Sequence, residues 1–218
     1  MTSREFRDRL LACAENAGVL IAADVQAKLE VYFQLLTRWN AKINLTAFPL
    51  RRPSAETLDR LLIEPLAAAR YVEDSALKWF DVGSGAGSPA IPLKIVHPRA
   101  ELTMVESKSR KAAFLREAAR ALELTSVQIE SQRFEDVAER IRPHIVDLVS
   151  VRAVKSEPSL LIAIRRVLSL SGRAFFFHSP SSGSRLPAGF AMVEMARLGT
   201  SRDARLSILK PVFHVEQK

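Results

Sequence analysis

In the first 70 residues apolar positions recur at helical spacing. Phe6, Leu10, Cys13, Ala14 and Ala17 share one face before Gly18, a stop signal. Val25, Leu29, Tyr32, Leu36 and Trp39 follow in steps of four and three, on a helix that Asp24 or its neighbours can cap. This stripe predicts core packing rather than a binding face. A third helical pattern, Leu58, Leu61, Leu62, Leu66 and Ala69, contains Pro65, which has no amide donor and predicts a kink or a boundary there. Between the second and third patterns, Asn40, Asn44, Pro49 and Pro53 with Arg51 and Arg52 predict a basic surface loop.

From residue 76 the rhythm changes to short apolar runs alternating with helical patterns. Residues 77–82, 101–105, 126–131, 145–151 and 173–178 read as strands, and 108–122, 134–141 and 156–168 as helices. Such alternation implies right-handed crossovers and a mostly parallel sheet covered on both faces, a Rossmann-like α/β arrangement. Residues 189–198 and 205–215, joined across Gly199 to Asp203, predict an antiparallel pair closing the sheet. The expected organisation is a helical extension over 1–72 and an α/β domain over 73–218, packed as one globular unit.

Composition agrees with a well-formed core. The chain has 218 residues, of which 48% are apolar and 26% charged, with only 8 Gly, which excludes disordered and collagen-like classes. Cys13 is the single cysteine, so no disulfide framework or cysteine-rich metal site is expected, and a reduced cytoplasm is the expected location. The N-terminal apolar run Leu10–Ala14 is too short for a secretory signal, and no run approaches the roughly 18 residues of a membrane span. The net charge is +8, and residues 151–218 hold 11 basic against 4 acidic side chains. A basic balance of this size points to a polyanionic partner, nucleic acid first.

The sequence Asp81-Val82-Gly83-Ser84-Gly85-Ala86-Gly87 follows the first strand and precedes a helical segment. Glycines at the carboxyl end of such a strand let the backbone turn tightly and approach a nucleotide-like cofactor. A dinucleotide fingerprint needs its third glycine where Ser88 stands, and Pro89 and Pro92 remove amides that a pyrophosphate would use. The turn Gly83, Ser84, Gly85, Gly87 therefore suits S-adenosylmethionine (SAM). Glu106 ends the second strand about 20 residues on, where an acid can accept both ribose hydroxyls. Arg133-Phe134-Glu135-Asp136, after the third strand, offers a ring to cover an adenine and a carboxylate for its amino group.

After the fourth strand stands Val149-Ser150-Val151-Arg152-Ala153, with no Asn-Pro-Pro-Tyr-like clamp for an exocyclic amine. Cys13 is too remote in sequence to attack a pyrimidine. For a base substrate, a ring nitrogen with a free lone pair is the remaining target.

Trp39-Asn40 with Asn44-Leu45-Thr46, the loop Asp81 to Leu93, Glu106-Ser107, Lys111 with Phe114-Leu115, Arg133 with Glu135, and Arg152-Ala153 together resemble one family over roughly residues 5–178. It is that of the bacterial small-subunit ribosomal RNA guanine-N7 methyltransferases, once called glucose-inhibited division protein B. The resemblance implies a class I SAM-dependent methyltransferase fold, a mostly parallel seven-stranded sheet with an antiparallel C-terminal strand and a helical N-terminal extension. It implies methylation of guanine N7 in 16S rRNA, either free or in the small ribosomal subunit, by a monomer using no metal. It also puts cofactor contacts on Gly83, Ser88, Phe134, Glu135 and Arg152, with Arg152 facing the substrate or the cofactor carboxylate as the one catalytic residue.

Several positions depart from that pattern. Ser88 replaces a large apolar residue and Ala90 a glycine, which predicts looser packing over the cofactor. Leu61 stands where a histidine is usual, Glu64-Pro65 where Asp-Ser is, and His178-Ser179 where Lys-Gly is. His97, His144 and His214 read as ordinary loop or surface residues without metal spacing. Candidates for phosphate contacts are Arg51, Arg52, Lys155, Arg165, Arg166, Arg173, Arg202 and Arg205. Rival readings are an NAD(P)-dependent oxidoreductase and a non-catalytic RNA-binding relative.

Overall fold

A computed structural model describes residues 1–73, 75, 77–155, 157–178, 186–199 and 204–213. The N-terminal part begins with α1 (Ser3–Asn16), whose first turn is capped by the Thr2 hydroxyl accepting from the Glu5 amide. Gly18 then turns the chain with φ +65° into α2 (Ala23–Asn40). At the end of α2 the Asn40 carboxamide oxygen accepts the amides of Leu45 and Thr46, at 2.8 and 2.9 Å, and so folds the loop back. The Trp-Asn…Asn-Leu-Thr signature thus has a structural role here.

Pro65 acts as the sequence predicts, but through a change of helix type rather than a simple kink. The chain runs through α3 (Ala55–Leu58), one π-helical turn (Asp59–Ile63), α4 (Glu64–Ala68) and a 3₁₀ turn (Ala69–Tyr71). The Glu64 amide bonds the Asp59 carbonyl, one residue further back than in an α-helix, and Pro65 has no amide to give. The carbonyls of Arg60 and Leu61 are therefore left for partners outside the helix.

Seven strands follow: β1 (Lys78–Val82), β2 (Glu101–Val105), β3 (Val127–Glu130), β4 (Val146–Arg152), β5 (Leu168–His178), β6 (Phe190–Arg197) and β7 (Arg205–Pro211). They lie in the order β3-β2-β1-β4-β5-β7-β6. β1 to β5 are parallel, β7 is antiparallel to β5, and β6 pairs antiparallel with β7 at the outer edge. This is the class I methyltransferase sheet with its antiparallel strand near the end of the chain. Crossovers are made by α5 (Ala90–Val96), α6 (Ser109–Ala121), α7 (Phe134–Arg140) and α8 (Pro158–Val167).

The expected strands match closely except at two ends. β5 begins at Leu168, five residues early, because α8 stops at Val167 and the chain enters the sheet at once opposite Val146. β7 ends at Pro211; residues 214 and 215, expected to extend it, lie outside the described residues.

Period-two alternation divides β5 between two cores. Phe175 and Phe177 join a cluster with Leu10, Tyr32, Leu62, Trp79 and Phe114, whereas Ala174 and Phe176 join Val105, Phe134, Val149 and Ile164. The first 72 residues thus contribute to the same cluster as one sheet face and α6. Among the described residues no helix is long and apolar enough to cross a membrane.

Candidate functional site

At the carboxyl edge of β1 the glycine turn wraps over the start of α5. Gly83 and Gly87 have φ +67° and +86°, values that side-chain-bearing residues rarely adopt. A Cβ on Gly83 would lie 2.5 Å from Val154 Cγ2, and one on Gly87 2.5 Å from Ile91 Cδ1. Gly83 is needed for close approach, and Gly87 for packing of loop on helix. Three further bonds hold the turn: Ser84 Oγ donates to the Asp81 carbonyl at 3.0 Å, Gly85 N to Glu106 Oε2 at 3.0 Å, and the Tyr32 hydroxyl to the Ala86 carbonyl at 2.6 Å.

Glu106 is 7% exposed and accepts on both oxygens, the second from the Lys108 amide at 2.8 Å. Beside it opens a cleft lined by Gly83, Glu106, Phe134, Glu135, Val154 and Lys155 among others. Sequence reasoning therefore brought Gly83, Glu106, Phe134 and Glu135 to one cleft. Phe134 differs in detail: it is 4% exposed and stands edge-on to Phe80 at 6.2 Å, so it forms part of the cleft floor rather than a free lid. Each carboxylate oxygen keeps a second lone pair, so Glu106 can hold ribose hydroxyls while it holds the turn. Glycines, acid and apolar floor fit a SAM-type cofactor.

Of the other expected cofactor contacts, Ser84, Gly85 and Gly87 shape the turn behind Gly83 without lining this cleft, and Ser88 and Arg152 do not line it either. The Arg152 side chain is largely buried behind the turn, where its Nη2 meets Glu64 Oε2 at 2.8 Å and its Nη1 donates to the Arg60 carbonyl and to Ser88 Oγ. Its guanidinium also lies over the Phe177 ring, 4.6 Å from the centroid. Ser88 Oγ donates to the Leu61 carbonyl at 2.9 Å. The two carbonyls freed by the π turn are thus the ones that Arg152 and Ser88 take. Arg60 completes the cluster through Glu64 Oε1 at 2.8 Å and the His178 carbonyl at 3.0 Å. Burial pushes the Arg152 guanidinium down to about 10 against the pull of Glu64, and pushes the Glu64 carboxyl up against the pull of Arg152 and Arg60.

A glycine turn after β1, an acid at the end of β2 and an arginine at the end of β4 constitute a methyltransferase-like arrangement, and sequence comparison specifies which. The family model for rRNA small subunit methyltransferase G (GidB) matches residues 25–186. The chain belongs to the rRNA small subunit methyltransferase G family.

Its relatives in the methyltransferase G family include proteins named ribosomal RNA small subunit methyltransferase G. That of Xanthomonas axonopodis pv. citri is 35% identical over 78% of this chain and 77% of its own length. That of Pseudomonas aeruginosa is 38% identical over 61% of this chain and 60% of its own length, so the match spans about three fifths of that protein. Among solved structures, a SAM-dependent methyltransferase from Aquifex aeolicus shares the fold at TM-score 0.56 and 15% identity, over 70% of this chain and 91% of that one.

The departures from the methyltransferase G pattern do not leave loose packing. Ala90 is fully buried, and Ser88 is bonded on both sides. Leu61 is buried and acts through its carbonyl. His178 Nε2 bonds Ser207 Oγ at 2.7 Å, turned toward β7; burial and Arg205 lower its pKa. His97 and His144 brace the carbonyls of Ala69 and Leu168, and His214 lies outside the described residues.

The expected phosphate contacts separate by topology. Crossover helices end at the amino edge of a parallel sheet, so Arg165 and Arg166, in the last turn of α8, lie opposite the cleft and bond the carbonyls of Val212 and Ile141. Arg173 bonds the Ser171 and Gly172 carbonyls at that same edge. Lys155 lines the cleft, and exposed Arg205 opens β7 beside His178 at the carboxyl edge. Arg51 and Arg52 are exposed on the loop after α2, and Arg202 lies outside the described residues.

Two polar groups under the turn escaped sequence reasoning. Tyr32 sits within an apolar stripe, and only the need of a buried hydroxyl for a partner hinted at more. Asp81, 1% exposed, accepts from Ser150 Oγ, which in turn accepts from Trp79 Nε1 at 2.8 Å. Burial pushes the Asp81 carboxyl up to about 6, against the hydrogen bonds from Ser150 and Ser84. A raised native pKa makes the folded state hold its proton more tightly than the unfolded chain. The resulting stability is full below about pH 4 and is lost as pH rises through about 6. The unfolding free energy of the wild type, relative to Asp81→Asn, is therefore expected to fall by up to about 3 kcal/mol across that window. Denaturant titrations of both proteins from about pH 4 to 7 measure it, and a constant difference would place water at Asp81.

Proposed function

We propose that this chain transfers the methyl group of SAM to N7 of a guanine in small-subunit ribosomal RNA, in the cytoplasm. What supports the reading most is the junction of the Gly83–Gly87 turn with Glu106 at one cleft, in a chain of the methyltransferase G family. SAM, when bound, supplies an electrophilic methyl carbon on a sulfonium. In the cleft, the backbone at Gly83 would approach the methionine and ribose portions, Glu106 would accept the ribose hydroxyls, and Phe134 with Glu135 would border the adenine. Guanine N7 attacks with a lone pair and loses no proton, so the chain needs no general base there. Its task is alignment of nitrogen, carbon and leaving sulfur.

Arg152 enters this reading as a positioning residue. Its bonds to Arg60, Glu64 and Ser88 keep the start of α5, and with it the glycine turn, fixed against the helical part. Exposed Lys108, Arg110, Arg133, Lys155 and Arg205 rim the carboxyl edge and suit RNA phosphates.

The test is methyl transfer from labelled SAM to small ribosomal subunits lacking N7-methylguanine, followed by nucleoside analysis. Labelled N7-methylguanosine that vanishes with Glu106→Ala is the expected result. Stabilisation by NADH but not by S-adenosylhomocysteine would overturn the cofactor, and cofactor binding without transfer to any ribosomal RNA would overturn the substrate.

A further inference from the structure

Away from the cleft, a second group of cations lies along the seam of α2 and α6. Arg38 and Lys42 line a surface hollow with Trp39 and Glu117, and Arg38 also lines a neighbouring one with Phe33 and Arg51. Arg38 borders both hollows. Arg38, Lys42 and Arg51 are exposed, and among the described residues their side chains form no hydrogen bond or ion pair. Among the described residues Glu117 is the one acidic side chain lining either hollow. Exposed Arg110 stands seven residues before Glu117 on α6, on the same face and about 10 Å toward the cleft edge.

Exposed cations lining one hollow with an aromatic ring suit one class of partner above others. Trp39 is half-buried, its ring set against Phe114 at 5.9 Å, so its indole lies within the hollow instead of protruding as a membrane anchor would. Phosphates can meet the cations while an unstacked base meets the ring. We propose that the Arg38–Lys42–Arg51 seam is a second RNA contact, engaging backbone phosphates and an unpaired base at a distance from the methylated guanine. The proposal rests on RNA being the substrate.

Its test compares two charge-matched double variants, Arg38→Glu/Lys42→Glu on the seam and Lys78→Glu/Arg142→Glu at the amino edge of the sheet, for binding to an unmodified small-subunit rRNA transcript. The seam variant is expected to bind at least tenfold more weakly, with a salt slope smaller by about one to two. The amino-edge variant is expected to match the wild type, and both are expected to keep the thermal shift given by S-adenosylhomocysteine. Equal losses in the two variants, or no loss in either, would overturn the seam. So would seam-dependent binding to phosphatidylserine vesicles with RNA affinity unchanged. If the seam variant alone loses RNA but the wild type transfers no methyl group, the seam stands and the proposed reaction falls.

Discussion

Glu64→Gln is expected to cost about 3–5 kcal/mol, the range for breaking a buried ion pair from one side. Glu64 is 1% exposed and is the carboxylate that both Arg60 and Arg152 grip at 2.8 Å. Glutamine keeps the volume and one acceptor, but it leaves two buried guanidinium groups without their counter-charge. For a chain of this length the loss corresponds to about 6–20 °C in Tm. Thermal unfolding followed by circular dichroism reads it directly. A shift below about 1 kcal/mol, the scale of solvent-exposed pairs, would mean that water already screens the cluster. Because Arg152 ties the π turn to Ser88, surviving Glu64→Gln protein is also expected to bind SAM more weakly.

That cluster marks the boundary of what the sequence could reveal. The glycine turn was legible because Gly83 and Gly87 are needed for local backbone reasons, and local reasons survive without a structure. Glu106 was legible for a similar cause, since its distance from the glycines is set by one helix and one strand. Arg152 was singled out, yet its partners could not be. Glu64 lies 88 residues away in sequence, and its carboxylate reaches Arg152 only because helical extension and sheet share one core. Pro65 announced a break in the helix. That the relief would be a π turn, with its two freed carbonyls taken by Arg152 and Ser88, depended on what packs alongside.

The separation of Arg165, Arg166 and Arg173 from the cleft has a different origin. Charge along a sequence carries no information about which end of a sheet it reaches, whereas the crossover rule does, and it assigns all three to the amino edge. The stripe on α2 concealed Tyr32 because periodicity registers a tyrosine as an apolar ring and ignores its hydroxyl. Likewise Phe134 satisfies both the adenine reading and the helical period of α7, since it lines the cleft while its ring packs into the core.

Glu106→Gln tests the site itself, and its expected effect is the largest on function. Both carboxylate oxygens accept backbone amides, from Gly85 at 3.0 Å and Lys108 at 2.8 Å. A carboxamide is isosteric but has one oxygen and one NH₂, so whichever way it turns, a donor faces a donor. The turn therefore loses an anchor, and a bound ribose loses a charged acceptor. Each such hydrogen bond to a charged group contributes about 1.5–3 kcal/mol. Together they predict a fall of about a hundredfold or more in SAM and S-adenosylhomocysteine affinity. Calorimetric titration measures it, and the thermal shift gives a second readout, since ligand at a hundred times its Kd stabilises the wild type by about 2.7 kcal/mol. With the variant, the same ligand concentration is expected to give almost no shift, while Glu106→Asp, whose charge is kept one methylene short, should fall between. If Glu106→Gln instead binds S-adenosylhomocysteine within threefold of the wild type, Glu106 serves the turn alone and the ribose is held elsewhere in the cleft.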